Sequence, residues 1–117
     1  MKTILVIDDE EKIRSVYATI LKREGYLALE ANSALEANAL MLQHAVDLVL
    51  LDINMAEVDG TVFYEIIRTF HQRTKVIVAS VYPLDDQKHL VEAAHDYYDK
   101  SDSLKLLLQK VSTVLNT

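Results

Sequence analysis

Short apolar runs alternate with segments of helical spacing along the whole chain. Five runs have the length of strands, and they cover residues 3–7, 26–31, 46–52, 76–79 and 96–99. The third run, which ends in the carboxylate of Asp52, is typical of a strand buried on both faces, although periodicity alone leaves a buried helix segment open.

Five helices are predicted between and after these runs, over residues 10–24, 33–44, 62–70, 83–94 and 104–115. Gly25 ends the first as a C′ residue, and Ser33 with Glu36 forms a capping box for the second. Pro83 fits an early position of the fourth helix. That helix has a thin apolar face, which indicates a weakly held, movable element, and the face consists of Leu84, Leu90, Val91 and Ala94.

Strand and helix alternate five times, which predicts βαβ units around a parallel sheet with helices on both faces. We therefore expect an α/β protein with a flavodoxin-like (βα)5 fold. Its doubly wound, five-stranded parallel sheet has the strand order 2-1-3-4-5.

Size and charge narrow the class further. The 117 residues suit one domain, 1–117, and no apolar run approaches the length needed to cross a membrane. The net charge of −6 and the scattered basic residues argue against direct nucleic-acid binding. Because the chain has no cysteine and no signal sequence, we expect a cytoplasmic protein. The four histidines are interpreted as surface residues.

Polar side chains stand where four of the predicted strands end. The order 2-1-3-4-5 brings the carboxyl ends of strands 1, 3, 4 and 5 to one edge of the sheet, where open α/β sheets place ligands. The residues there are Asp8, Asp9, Asp52, Ser80 and Lys100. Three carboxylates in one cleft repel each other. A Mg²⁺ ion relieves that repulsion, because it prefers carboxylates together with carbonyls, waters and phosphate oxygens.

These residue types suit phosphoryl transfer to an aspartate. A carboxylate beside Mg²⁺ attacks phosphorus and forms an aspartyl phosphate, while the metal and a lysine neutralise the transferring group. Taken singly, each residue also has an ordinary explanation as a turn residue, a helix cap or a solvated charge. Their joint placement favours Asp52 as the residue that is modified.

The ordered set resembles the receiver (CheY-like) domain of bacterial two-component response regulators, and the resemblance covers the whole chain. It rests on Asp8, Asp9, Asp52, Asp59, Gly60, Ser80 and Lys100. The resemblance implies Mg²⁺ as the cofactor and a sensor histidine kinase, a phosphotransfer protein or a small phosphodonor as the donor. It also implies a conformational switch read by a downstream effector protein or domain.

The resemblance assigns the metal and acceptor positions. Asp52 matches the phosphoacceptor and a metal ligand. Asp9 matches the direct metal ligand, and Asp8 acts partly through water. Asn54 matches the position that lends a backbone carbonyl to the metal.

The resemblance also assigns the sensing positions. Ser80 matches the hydroxyl residue that turns toward the phosphoryl group, and Lys100 matches the lysine that binds it. Tyr97 matches the aromatic residue that swings inward on activation. Dimerisation through helix 4, strand 5 and helix 5 is a further expectation.

Several positions depart from the family pattern. Ala56 and Ser101 stand where proline is usual, Val81 where alanine or glycine is usual, and Ala94 where glycine is common. A non-proline cis bond costs about 3 kcal/mol, so we expect a trans peptide after Lys100, which puts the direction of that side chain in question.

Tyr82 and Asn54 match variable sites that flank the phosphoryl group. A bulky Tyr82 crowds the path of hydrolytic water, so we expect slow self-dephosphorylation.

Two other functions fit parts of the pattern. A degenerate receiver would keep the fold and bind partners without being phosphorylated, as the departures at Ala56, Val81 and Ser101 suggest. A phosphatase or mutase of the haloacid dehalogenase type would need an aspartate at position 54. Because the amide of Asn54 cannot shuttle a proton, a signalling domain rather than an enzyme is expected.

Overall fold

The computed structural model describes residues 1–55 and 59–117, and these form five strands and five helices. In chain order they are β1 (Thr3–Ile7), α1 (Glu11–Arg23), β2 (Leu27–Ala31), α2 (Ala34–Gln43), β3 (Leu48–Asp52), α3 (Gly60–Phe70), β4 (Lys75–Ser80), α4 (Leu84–Leu90), β5 (Asp96–Asp99) and α5 (Leu104–Leu115). The sequence-based bounds agree within a few residues, apart from helix 4.

All strand pairs of the sheet are parallel, and the strand order is β2-β1-β3-β4-β5. The predicted doubly wound, flavodoxin-like topology is therefore confirmed. Strands β1 and β3 are neighbours, with Ile7 opposite Leu51, and Asp52 is opposite Ala79 of β4. This register places the ends of the three central strands at one level.

Two apolar cores cover the two faces of the sheet. One packs α2 and α3 against alternate strand residues, with Phe63, Ile67 and Leu51 near its centre. The other packs α1 and α5 against the opposite face, through Leu21 and Leu107. Every residue of β1 and β3 is buried, as expected for strands covered on both sides.

Local signals set several helix ends. Gly25 follows α1 with a φ of +91°, the left-handed conformation that favours glycine. The Ser33 hydroxyl accepts a hydrogen bond from the Glu36 N–H (3.2 Å), which confirms half of the capping box. The Glu36 carboxylate accepts from the N–H of Asn32 (3.2 Å), one residue earlier than the motif predicts.

Helix 4 is shorter than predicted. It ends at Leu90 after seven residues, so Val91 and Ala94 lie beyond it, and Pro83 is its N-cap rather than a helical residue. Val91 is already extended, with a φ of −130° and a ψ of 101°, so the helical path ends there. Ala93 follows in the left-handed region, with a φ of +64°.

Two apolar residues of α3 are exposed to solvent. Val62 is 53% exposed and Phe70 is 75% exposed. No helix among the described residues combines the length and the apolarity required to cross a lipid bilayer.

Candidate functional site

An acidic cluster lies at the carboxyl edge of the sheet. Carboxylate oxygens of Asp8, Asp9 and Asp52 lie within 4.8 Å of one another. Asp8 and Asp52 are buried, whereas Asp9 is exposed. The structure thus brings together the three carboxylates that the strand order predicted, with one of them open to solvent.

Backbone N–H groups orient the two buried carboxylates. One oxygen of Asp8 accepts from the Glu10 N–H, and one oxygen of Asp52 accepts from the Asn54 N–H, each at 2.9 Å. Each bond spans two residues, the pattern of an Asx turn. The second oxygen of each carboxylate is therefore directed toward the shared space between β1 and β3.

Lys100 fills that space from the end of β5. Its Nζ lies 2.7 Å from Asp8 Oδ2 and 3.3 Å from Asp52 Oδ2. Burial alone lowers the pKa of Lys100, but the bonds to Asp8 and the charge of Asp52 outweigh it and raise the pKa. Lys100 is therefore a permanent ammonium at neutral pH that bridges the two buried carboxylates.

The peptide after Lys100 does not disturb this contact. No cis peptide bond occurs among the described residues, so the expected trans bond before Ser101 is found. Ser101 instead donates its N–H (2.9 Å) and hydroxyl (2.7 Å) to Asp99. Lys100 reaches both carboxylates without the usual proline.

Opposing effects set the pKa of the Asp52 carboxylate. Burial raises its pKa most, whereas the Asn54 N–H and Lys100 lower it and Asp8 raises it again. The net effect is a pKa of about 6. At neutral pH the carboxylate is mostly ionised, and it gains from any further positive charge in the cleft.

Ser80 is fully buried at the end of β4. Its hydroxyl oxygen accepts from Asn54 Nδ2 (3.2 Å) and from the Tyr82 N–H (3.1 Å). The side chain of Asn54 thus links the loop after β3 to Ser80, a role the sequence did not indicate.

Tyr97 is buried, and its hydroxyl donates to the Val91 carbonyl (2.6 Å) and accepts from the Ala94 N–H (3.1 Å). The predicted switch residue therefore points inward in this structure. It holds the segment after α4, which Tyr64 also contacts by donating to the Ala93 carbonyl (3.0 Å).

Of the other departures within the described residues, Val81 and Ala94 make no contact with the carboxylates or Lys100. Val81 is 65% exposed and faces solvent. Ala56 lies outside the described residues. Gly60, the first residue of α3, has its N–H 3.3 Å from the Ile53 carbonyl oxygen. A Cβ at Gly60 would overlap the Ile53 Cα and lie 2.6 Å from the Asp52 carbonyl oxygen.

Two polar residues near the site escaped the sequence analysis. Arg14 of α1 donates to the Asp8 carbonyl (2.7 Å) and pairs with Glu30 (3.3 Å), which braces the end of β1. Gln87 of α4 is fully buried. Its exposed neighbours in sequence give no signal of that burial.

Comparisons with known proteins agree with this geometry. A family model described as the response regulator receiver domain matches residues 4–112. Transcriptional regulatory protein ZraR of Klebsiella oxytoca is 34% identical over 112 residues, which cover 92% of this chain and 25% of ZraR. Response regulator SaeR of Staphylococcus aureus is 31% identical over 121 residues, which cover 98% of this chain and 51% of SaeR.

A solved structure is similar along the whole fold. The response regulator TrrA from Thermotoga maritima, in complex with Mg²⁺-BeF, has a TM-score of 0.84 and 32% identity and covers 97% of this chain and 99% of its own. Fold and site define a signalling domain of the two-component class. The chain belongs to the response regulator receiver domain family.

Proposed function

We propose that the chain is phosphorylated on Asp52 and passes that state to a downstream effector. The observation that carries this proposal is the position of Lys100, whose ammonium lies 2.7 Å from Asp8 and 3.3 Å from Asp52 in a buried cleft. A cation fixed between two carboxylates is placed to bind the oxygens of a phosphoryl group on one of them.

The donor set fits Mg²⁺. Asp8, Asp9 and Asp52 supply clustered carboxylate oxygens, and the backbone carbonyl of Asn54 is the further ligand we assign. Hard oxygen ligands of this kind suit Mg²⁺, and the relative TrrA was solved with Mg²⁺-BeF. When bound, the ion supplies positive charge against the transferring phosphoryl oxygens.

The transfer step uses the ionised form of Asp52. A carboxylate oxygen attacks phosphorus, an O–P bond forms, and the P–N bond of a phosphohistidine or the P–O bond of a small acyl phosphate breaks. The leaving group departs with the electron pair of that bond. Lys100 remains protonated and pairs with the phosphoryl oxygens, while Asp8 retains its contact with the lysine.

The response to the phosphoryl group begins at Ser80. Its side chain rotates so that the hydroxyl donates to a phosphoryl oxygen, and this rotation moves the oxygen away from the Tyr82 N–H that it accepts from in the unmodified domain. Tyr97 and the segment after α4 form the element that responds.

The remaining parts of the proposal concern context. We assign the donor as a sensor histidine kinase or a phosphotransfer protein, and the location as cytoplasmic. Residues 1–117 act as one domain, with no turnover of a small substrate. Dimerisation uses α4, β5 and α5, where Leu90 and Leu104 are exposed.

Mass spectrometry after incubation with acetyl phosphate and Mg²⁺ tests the proposal. The wild-type chain should gain one phosphoryl group, and peptide mapping should place it on Asp52. Asp52→Asn should gain none, whereas the matched control Asp102→Asn, at an exposed position, should behave as wild type. An unmodified wild-type chain, or a group mapped elsewhere, contradicts the proposal.

The described contacts do not favour the alternative of a receiver that is never phosphorylated. Val81 faces solvent, and Lys100 reaches both carboxylates with serine at position 101. Of the three departures that suggest this alternative, Val81 and Ser101 lie within the described residues, and both leave the cleft assembled.

A further inference from the structure

A glutamine side chain is fully enclosed in the middle of α4. Gln87 has no exposed surface, whereas Asp86 and Lys88 on either side of it are exposed. A primary amide removed from water needs partners for two N–H groups and one oxygen. The partners of Gln87 therefore show what its burial achieves.

The amide nitrogen of Gln87 joins two different elements. Nε2 donates to the Tyr82 carbonyl (2.8 Å), in the loop after β4, and to the Tyr98 carbonyl (3.0 Å), in β5. Because both partners are acceptors, the group that faces them must be the NH₂ rather than the amide oxygen. A carboxylate in the same place would repel both carbonyls.

The amide oxygen of Gln87 has no donor among the described residues. The side chain is thus fully used as a donor and unused as an acceptor. Its two donated bonds account for its position, and a buried acceptor without a partner makes the arrangement less favourable than a fully paired one.

The bond to Tyr82 connects Gln87 to the phosphorylation cleft. The same residue has its N–H on the Ser80 hydroxyl (3.1 Å) and its carbonyl on Gln87 (2.8 Å). When the Ser80 hydroxyl turns to a phosphoryl oxygen, the Tyr82 N–H loses its partner, and the bond to Gln87 is then the remaining hydrogen bond of Tyr82 among the described residues. A loop held by one bond instead of two is easier to displace.

We propose that Gln87 is a positioning residue that couples Ser80 to α4. In the unmodified domain it holds the loop after β4 against β5, and rupture of its bond to Tyr82 frees α4 when Asp52 carries a phosphoryl group. This inference rests on the proposed function, because the movement of Ser80 requires that group.

Hydrogen exchange of residues 82–91, followed by mass spectrometry, tests the holding step. Gln87→Met keeps the length of the side chain and removes both bonds. In the unmodified state it should exchange these amides about tenfold faster than wild type, the order expected when two hydrogen bonds are lost. Lys88→Met, the matched control on the solvent side, should exchange as wild type.

Addition of Mg²⁺ and beryllofluoride tests the coupling step. Wild type and Lys88→Met should lose protection over residues 82–91, whereas Gln87→Met should show no further loss. Phosphorylation of Asp52 by acetyl phosphate is measured in parallel on every variant. An unmodified wild type contradicts the proposed function. A modified wild type that keeps its protection contradicts the role of Gln87.

Gln87→Glu keeps the test decisive if the methionine variant does not fold. The carboxylate cannot donate, but the protonated acid donates one bond, so exchange relative to wild type should be faster at pH 8 than at pH 5. Equal ratios at the two pH values overturn the proposal. So does exchange that rises equally in β1 and α1, since that indicates general destabilisation.

Discussion

At Asp52 the requirements of stability and of chemistry conflict. A buried carboxylate beside Asp8 is costly to ionise, and its pKa of about 6 lies above the 3.8 expected in the unfolded chain. The folded state therefore binds the proton more tightly, and this contribution to stability is lost as the pH rises from about 4 through about 6. The residue that we assign as the phosphoacceptor thus weakens the fold at neutral pH.

Asp52→Asn should accordingly stabilise the domain without Mg²⁺ at pH 7.5, by about 1–2 kcal/mol after allowance for solvent screening. Lys100 keeps its partner Asp8 in the variant. Urea unfolding at several pH values measures the effect, which should disappear near pH 4. A variant that is less stable than wild type at pH 7.5 contradicts the argument, and Asp102→Asn is the control.

Tyr82→Ala should shorten the lifetime of the phosphorylated form if the tyrosine ring blocks hydrolytic water. The ring lines a shallow cavity of about 370 Å³ with Asp86, His89 and Leu90 of α4, so it must lie across the cleft in the modified state to have this effect. Loss of phosphoryl mass over time gives the rate. Val81→Ala controls for a change in the same loop, and equal rates in all three proteins contradict the hypothesis.

At the scale of elements, the turn between α4 and β5 depends on hydrogen bonds made by three side chains, those of Tyr64, Tyr97 and His95. Tyr64 and Tyr97 hold its carbonyls, and His95 pairs with Val76 of β4. Few of its backbone groups pair within the turn itself. The turn is therefore an element whose position follows from three side chains rather than from regular structure.

His95 makes this turn sensitive to pH. Partial burial of its ring, and then the charge of Lys75, lowers the pKa of His95, although the residue as a whole lies at the surface. Its Nδ1 accepts from the Val76 N–H (3.1 Å). Because the pKa of His95 is lower in the folded state, its contribution to the free energy of unfolding is complete above about pH 6.5, the pKa in the unfolded chain. That contribution is lost as the pH falls below this value. Protonated Nδ1 cannot accept the bond.

His95→Asn should keep an acceptor near the Val76 N–H and remove this pH dependence, whereas His95→Ala should cost about 1 kcal/mol at pH 8. Unfolding in urea at pH 8 and pH 5.5 tests both. The exposed His89→Asn should follow wild type at both values. If wild type and His95→Asn lose the same free energy of unfolding between pH 8 and pH 5.5, the role assigned to His95 is contradicted.

Ala93→Gly should stabilise the same turn. Ala93 has a φ of +64°, which costs an L residue about 1 kcal/mol that glycine avoids. The flexibility of glycine in the unfolded chain offsets part of the gain, so we expect about 0.5 kcal/mol in thermal unfolding. Ala94→Gly, the position compared with the family pattern, should destabilise instead. If Ala94→Gly proves more stable than Ala93→Gly, the left-handed conformation of Ala93 is contradicted.

At the scale of the whole molecule, much of the fold could be predicted because topology follows from alternation. The carboxyl ends of parallel strands meet at one edge of a sheet, so the sequence alone could place Asp8, Asp52 and Lys100 together. Helix 4 could not be bounded, because Val91 is apolar at helical spacing yet packs against the core from outside the helix. The roles of Gln87 and His95 could not be found, because their partners are backbone carbonyl and N–H groups, which the sequence does not distinguish from one residue to the next.

The acidic edge also predicts a global response to Mg²⁺. An ion that binds only the folded state stabilises it by about 2.7 kcal/mol at one hundred times its dissociation constant. Thermal unfolding with 10 mM MgCl₂ should therefore occur at a higher temperature than in NaCl of equal ionic strength. Asp9→Asn should lose most of this shift, and the exposed Asp86→Asn should keep it. Equal shifts in both variants place the ion elsewhere.

Gly60 has a consequence for how this chain can change over time. Any side chain there would overlap the Ile53 backbone behind Asp52, so the position is closed for a steric reason unrelated to phosphate. A library of variants selected only for abundance would retain glycine at 60, while position 52, which is buried, would accept uncharged side chains of similar size such as asparagine. A library selected for signalling would hold both. Positions 52 and 60 can thus resist substitution for different reasons. Comparing the two selections separates a residue needed for folding from a residue needed for the chemistry.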